Sequence, residues 1–164
     1  MNFQGQVAHA LDEEHRASLD LLGKVEQAFA RAPRTGASGN PELARLAGQF
    51  ARHLEQDGGR HFEFEENELF GRLAEAGEGD IAELLAEEHQ AIREAAETLL
   101  PLANAAAAGT LDDAAWTQLK VGVAEMVERQ VAHIQKETMA LLPALEDLLD
   151  EETDRELAFA YATA

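Results

Sequence analysis

At 164 residues the chain is one domain's worth of protein, and a single domain over residues 1–164 is expected. Lys and Arg number 13 against 32 Asp and Glu, a formal charge of −19, which excludes most nucleic-acid roles and disfavours anionic lipid surfaces. Cysteine is absent, so no disulfide, thiolate zinc site, iron–sulfur cluster or cysteine nucleophile can form.

The first residues, Met1 to Gln6, carry neither a basic segment nor a long apolar run, so no signal peptide and a cytoplasmic location are expected. The most apolar stretch, Leu99 to Ala108, is too short to span a bilayer, so no membrane partner is expected. Helix formers dominate and strand-like alternation is missing, so the chain reads as all-α. A first helix is predicted from about Gln6 to Ala32, with Val7, Leu11, His15, Leu19 and Leu22 at helical spacing. Residues 33–39 read as a loop. Asn40 as N-cap and Pro41 at the first helical position open a second helix to about Ala76, weakened at Gly58-Gly59. Gly77-Glu78-Gly79 is a turn. Asp80 with Glu83 reads as a capping box opening a third helix to about Ala108, which Pro101 is expected to kink or fray. Gly109 stops it. Thr110 with Asp113 is expected to cap a fourth helix reaching about Leu149, disturbed near Pro143, and Asp150 to Ala164 forms a short fifth. Four long helices with short links predict an up-down-up-down four-helix bundle with a short C-terminal helix.

Four of the six histidines fall into two matching halves. The first helix carries Glu14-His15 and the third Glu88-His89. The second carries His61-x-x-x-Glu65 and the fourth His133-x-x-x-Glu137. The separations are 74 residues between His15 and His89, 72 between His61 and His133, and 72 between Glu65 and Glu137. Spacing of four places His and Glu one turn apart on one helix face. Both pairs lie on the apolar stripe, where a carboxylate must be paired, protonated or metal-bound. A lone His-x-x-x-Glu is most often a surface pair. Two copies, each matched by a further inward histidine, point to one metal site at a single level of the bundle. His9 falls about 120° off the face of His15, and His53 lies nearer the face of His61 but two turns away, beyond the glycine pair; both read as structural or exposed. Gln130, one turn before His133, is a candidate to line the pocket. Trp116 and the phenylalanines read as packing.

Glu14-His15, His61-x-x-x-Glu65-Glu66-x-x-Leu69-Phe70, Glu88-His89-x-x-Ile92-Arg93 and His133-x-x-x-Glu137-x-x-x-Leu141-x-Pro143 together resemble the hemerythrin-like HHE cation-binding domain, over roughly residues 8 to 148. The ferritin-like di-iron motif differs, with Glu first and spacing three. The resemblance implies a four-helix bundle around a non-heme di-iron centre. It implies metal ligation by His15, His61, Glu65, His89, His133 and Glu137, with one ion on His15 and His61, the other on His89 and His133, and both carboxylates bridging. Two iron ions with an oxo or hydroxo bridge are the expected cofactor. The nitrogen and oxygen donor set also suits manganese or zinc.

The pattern departs from the oxygen carriers of that family, which use five histidines. One turn either side of His89 stand Leu85 and Arg93, neither a ligand type. Glu137 also follows His133 by four residues where the carriers use five, so the set looks more like the divergent branch that includes iron sensors. With both carboxylates bridging, each ion has two nitrogen and two oxygen donors from protein, a solvent bridge adds a fifth, and one position stays open on each. Glu14, Glu66 and Glu88 could fill such a position, but adjacency on a helix points them about 100° away.

The expected partners are oxygen or hydrogen peroxide. Three functions compete: oxygen or iron binding and sensing, a di-iron oxidase or peroxidase acting on a small substrate, and a metal-free acidic interaction bundle. Leu85, Ile92, Met126 and Leu141 are expected to exclude water. No proton donor is evident beside the site, and the lone tyrosine, Tyr161, is far off in sequence, so any oxidative activity is expected to be modest.

Overall fold

The computed structural model describes residues 2–164. Its elements are α1 (Gln6–Ala30), α2 (Pro41–Gln56), α3 (Phe62–Phe64), α4 (Phe70–Leu73), α5 (Gly79–Ala107), α6 (Asp113–Lys136), α7 (Leu142–Leu148) and α8 (Glu151–Thr163), with no strand among the described residues. The segments α2 to α4 form the second rod of a bundle, and α6 with α7 the fourth. α1 packs on α2 and α6, and α5 packs on the same two, which closes the four-helix ring expected from the sequence. No helix is long and apolar enough to cross a membrane.

Several ends form as their residues dictate. Asn40 accepts from the backbone N–H groups of Glu42 and Leu43 at 3.0 and 3.2 Å, and Pro41 follows at the first helical position. Gly77, at φ 92°, turns the chain between α4 and α5, and Gly109, at φ 73°, ends α5. Two expected caps are corrected. α5 starts at Gly79 without a side-chain cap, so Asp80 and Glu83 form no capping box. The fourth helix is capped by Asp112, which accepts from Ala115 N–H at 2.8 Å, while the Thr110 hydroxyl donates to the Ala105 carbonyl. Aspartate two residues later competes successfully because its carboxylate answers the helix dipole as well as the open N–H. α5 also runs through Pro101 to Ala107.

The second and fourth rods are not plain α-helices. Wide turns of π-type hydrogen bonding occupy Asp57–His61, Glu65–Leu69 and Glu137–Leu141. The last two are separated by 72 residues, so the repeat seen in the motifs extends to the backbone. The turn at Asp57–His61 holds the glycine pair, and Arg93 Nε donates to the Gly58 carbonyl at 3.2 Å. Pro143 follows the wide turn at Glu137–Leu141, where its missing N–H breaks regular bonding.

The C-terminal helix pins the start of the chain. Asp154 accepts from Gln6 and Val7 N–H at 2.7 and 3.0 Å, and Glu146 accepts from Gly5 N–H at 3.0 Å. These carboxylates satisfy donors that the first turn of α1 leaves open.

The apolar core divides into two clusters. One is centred on Leu22, Phe29, Phe50, Ile92 and Met126, and the other on Leu11, Leu69, Leu73, Leu85 and Leu141. Trp116 packs edge-on against Phe29 in the first, as expected. Between the two clusters lies a buried polar layer of His15, His61, Glu65, His89, His133 and Glu137. Gly77→Ala would force a side chain into the left-handed region and is expected to lower stability by about 1–2 kcal/mol. Denaturant unfolding checks this, and an unchanged midpoint would show that the turn is not strained by a Cβ.

Candidate metal centre

All six residues singled out by spacing meet in that layer. His15, His61, Glu65 and Glu137 form one group whose donor atoms lie within 4.8 Å of one another, and Glu65, His89, His133 and Glu137 form a second. Each carboxylate serves both groups. Glu65 Oε2 faces His61 Nε2 at 3.4 Å and its Oε1 faces His89 Nε2 at 3.2 Å. Glu137 Oε1 faces His15 Nε2 at 3.0 Å and its Oε2 faces His133 Nε2 at 3.2 Å. The i, i+4 spacing on the second and fourth rods brings each His beside its Glu, and the bundle supplies the rest.

Behind the imidazoles stands a second set of residues. His61 Nδ1 donates to Glu14 at 2.8 Å, His89 Nδ1 to Glu66 at 2.7 Å and His133 Nδ1 to Glu88 at 2.8 Å. A carboxylate only accepts, so the hydrogen sits on Nδ1 and every Nε2 faces the centre. Glu14, Glu66 and Glu88 are therefore not extra ligands. The 100° step that turns them from the core sets them against the outer face of a histidine on another helix. Cations hold them in turn: Arg60 on Glu14, Arg93 on Glu66 at 2.8 Å, and Lys136 on Glu88. Arg93, in place of a further histidine, thus anchors the partner of His89, and Leu85 packs in the second apolar cluster.

The partners repeat like the ligands. Glu14 and Glu88 each precede the first histidine of their half and hold its second. Glu66 and Thr138 are the matched residues after Glu65 and Glu137, and they hold His89 and His15. At Thr138 the symmetry breaks, because His15 Nδ1 meets a hydroxyl at 3.2 Å where His89 meets a carboxylate. Phe62 stacks on the His89 ring, centroids 3.8 Å apart and 4° from parallel, which fixes its plane.

Burial by itself would push the His61 imidazole down. The charge of Glu65 beside it and the hydrogen bond to Glu14 outweigh it and raise the group well above its usual value. His89 is likewise pushed up to about 9, burial being overcome by Glu137 and Glu65. His133 rises for the same reason. Glu137 is held well below the usual carboxylate range by the three histidines around it, against the opposing effect of burial.

The layer fits a cation. Both Glu65 oxygens, Glu137 Oε2, His89 Nε2 and His133 Nε2 are buried without a hydrogen-bond partner. Such atoms are rarely left so in a folded protein unless something else satisfies them. An all-nitrogen-and-oxygen donor set with outer carboxylates on the histidines is the arrangement expected for a divalent first-row metal.

One residue stands elsewhere than expected. Tyr161, on α8, reaches the site: its hydroxyl donates to Glu14 and lies 3.3 Å from His61 Nδ1. The expectation that no tyrosine lies near the site is thus corrected. Sequence separation hid it, because only the packing of α8 on α1 brings the two together. His53 is structural, buried and bonded to Gln130 at 3.0 Å, and His9 is exposed beside Glu13.

The metal-free chain carries a pH dependence. His89 has a folded-state pKa of about 9 against the usual 6.5, so its contribution to stability is complete below pH 6.5 and is lost as pH rises through 9. The melting temperature of chelator-treated protein is expected to fall between those values. A flat profile would show that His89 is not held as a cation by Glu65 and Glu137.

No curated protein and no solved structure matches the chain. A family model does: the hemerythrin HHE cation-binding domain aligns with residues 6–145. That span takes in both halves of the repeat and all six residues of the polar layer, and the chain belongs to the hemerythrin HHE cation-binding domain family.

Proposed function

We propose that the chain is a non-heme di-iron protein that binds or reacts with oxygen or hydrogen peroxide. The observation that carries this reading is the sharing of Glu65 and Glu137 between two donor groups of two histidines and two carboxylates each. His15 and His61 would hold one ion and His89 and His133 the other, with Glu65 and Glu137 shared between them. When bound, an iron pair supplies one-electron redox change at each ion and coordination positions for a small oxygen ligand.

The protein's own residues do the rest. Glu14, Glu66 and Glu88 keep Nδ1 protonated and make Nε2 a better donor. Leu85, Ile92, Met126 and Leu141, all buried, keep bulk water out. With Leu85 and Arg93 beside His89, the protein offers each ion four donors, which favours reaction and turnover over storage. An open polar funnel of about 550 Å³, walled by Ser18, Asp57, Arg60, His61 and Tyr161 among others, has His61 of the layer on its wall and is the proposed way in for a small substrate. The metal-free interaction bundle is disfavoured because it gives no reason to bury two carboxylates and four imidazoles against one another in an apolar core.

Metal analysis with an optical spectrum after exposure to oxygen tests the reading. Two irons per chain and a charge-transfer band are expected. A band that reverses on removing oxygen marks a carrier or sensor, and catalytic peroxide consumption marks an enzyme. Protein that takes up no metal would overturn the proposal. Glu65→Ala and Glu137→Ala are each expected to lose both ions, while His15→Ala first loosens one. Loss of a single ion in all six alanine variants would contradict bridging. Glu66→Gln is expected to weaken metal binding by about 10–100-fold, because it replaces the charged acceptor behind His89 with a neutral amide. Unchanged affinity in a metal-competition titration would count against that role.

A further inference from the structure

Gln130 is 1% exposed, and its amide Nε2 has no hydrogen-bond partner. It lies on α6 one turn before His133 and lines a small chamber beside the polar layer, together with His15, Phe62, Ile92, His133 and Glu137. The chamber leaves about 10 Å³ for the centre of a water-sized molecule, which is room for about one water-sized group.

The direction of the amide is fixed from behind. His53 Nε2 lies 3.0 Å from Gln130 Oε1 and 3.2 Å from Asp57 Oδ2. The Asp57 carboxylate can only accept, so His53 Nε2 carries a hydrogen. A hydrogen there requires the oxygen of Gln130, and not its NH2, to face His53. The NH2 group is thereby turned away and left as the donor that Gln130 offers the chamber. A buried donor without an acceptor is costly, and a ligand in the chamber would remove that cost.

The chamber and the polar funnel share Ser18, Asp57 and His61 as walls. Asp57, 3.2 Å from His53, thus borders both.

We propose that Gln130 is a specificity-determining hydrogen-bond donor for a small electron-rich ligand, an anion or an oxygen species gaining negative charge, held in the chamber against the metal pair. Asp57 and His53 are its positioning residues. The inference rests on the di-iron reading above. It selects by size and by charge: the chamber has room for about one water-sized group, the outer atom of a slim ligand, and the amide favours negative charge on that atom.

The test uses the metal-loaded, oxidised full chain, with metal content measured first, and azide as the probe. Azide binding is followed by its optical band, and its antisymmetric stretch is recorded in H2O and D2O. Gln130→Leu keeps the size of the side chain and removes the donor. It is expected to keep both metals, bind azide about tenfold more weakly and lose the D2O-sensitive component of the stretch. Asp57→Asn, which lets His53 accept and so frees the amide to turn, is expected to lose part of the same component while Gln130 is intact. If Gln130→Leu keeps its metals and binds azide with wild-type affinity and D2O sensitivity, the inference is overturned and the di-iron reading stands. Wild-type protein that takes up no metal overturns both.

Discussion

Two carboxylates and four imidazoles face one another in the middle of an apolar bundle, and the rest of the molecule is arranged around that problem. Glu65 and Glu137 are almost wholly inaccessible, yet three of their four oxygens complete no hydrogen bond. In water each would be solvated. In the core they are tolerable only against positive charge. In the metal-free chain protonated histidines supply that charge, which is why His61, His89 and His133 are all raised. Protons thus hold the place of a cation, and the two apolar clusters on either side keep water from doing so.

The outer residues show how much of the protein serves this layer. Three of the four histidines are backed by a carboxylate, and each carboxylate by a cation, so the −19 charge of the chain is locally balanced where it matters. The pattern repeats between the halves until Thr138, which stands where the other half has Glu66. A hydroxyl behind His15 withdraws less of the ring's proton than a carboxylate does, so the two donor groups are chemically unequal although their ligand types are the same. The wide turns at Glu65–Leu69 and Glu137–Leu141 begin at the two shared carboxylates, in keeping with the tendency of π-type turns to mark functional positions.

Access is as one-sided as the electrostatics. The funnel opens between α1 and the glycine-containing turn at Asp57–His61, with Tyr161 of α8 on its wall. This is where the second rod departs from its repeat partner, since the matched stretch of α6 is regular helix. The irregular half faces the entrance and the regular half carries Gln130.

The sequence by itself determined the periodicity, the caps at Asn40 and the glycine turns, and the six residues of the polar layer. These are set by spacing along one chain, and helical spacing translates directly into a face. It also showed that Leu85 and Arg93 could not be ligands, because side-chain chemistry needs no coordinates. What only the tertiary structure decided are the pairings between helices. Glu14, Glu66 and Glu88 belong to histidines on other rods, Tyr161 reaches Glu14 through α8, and His53 turns the amide of Gln130. None of these has a fixed offset from its partner. Each depends on how two helices are rotated and placed along each other, which is settled by packing of the two apolar clusters and not by any local preference of the chain.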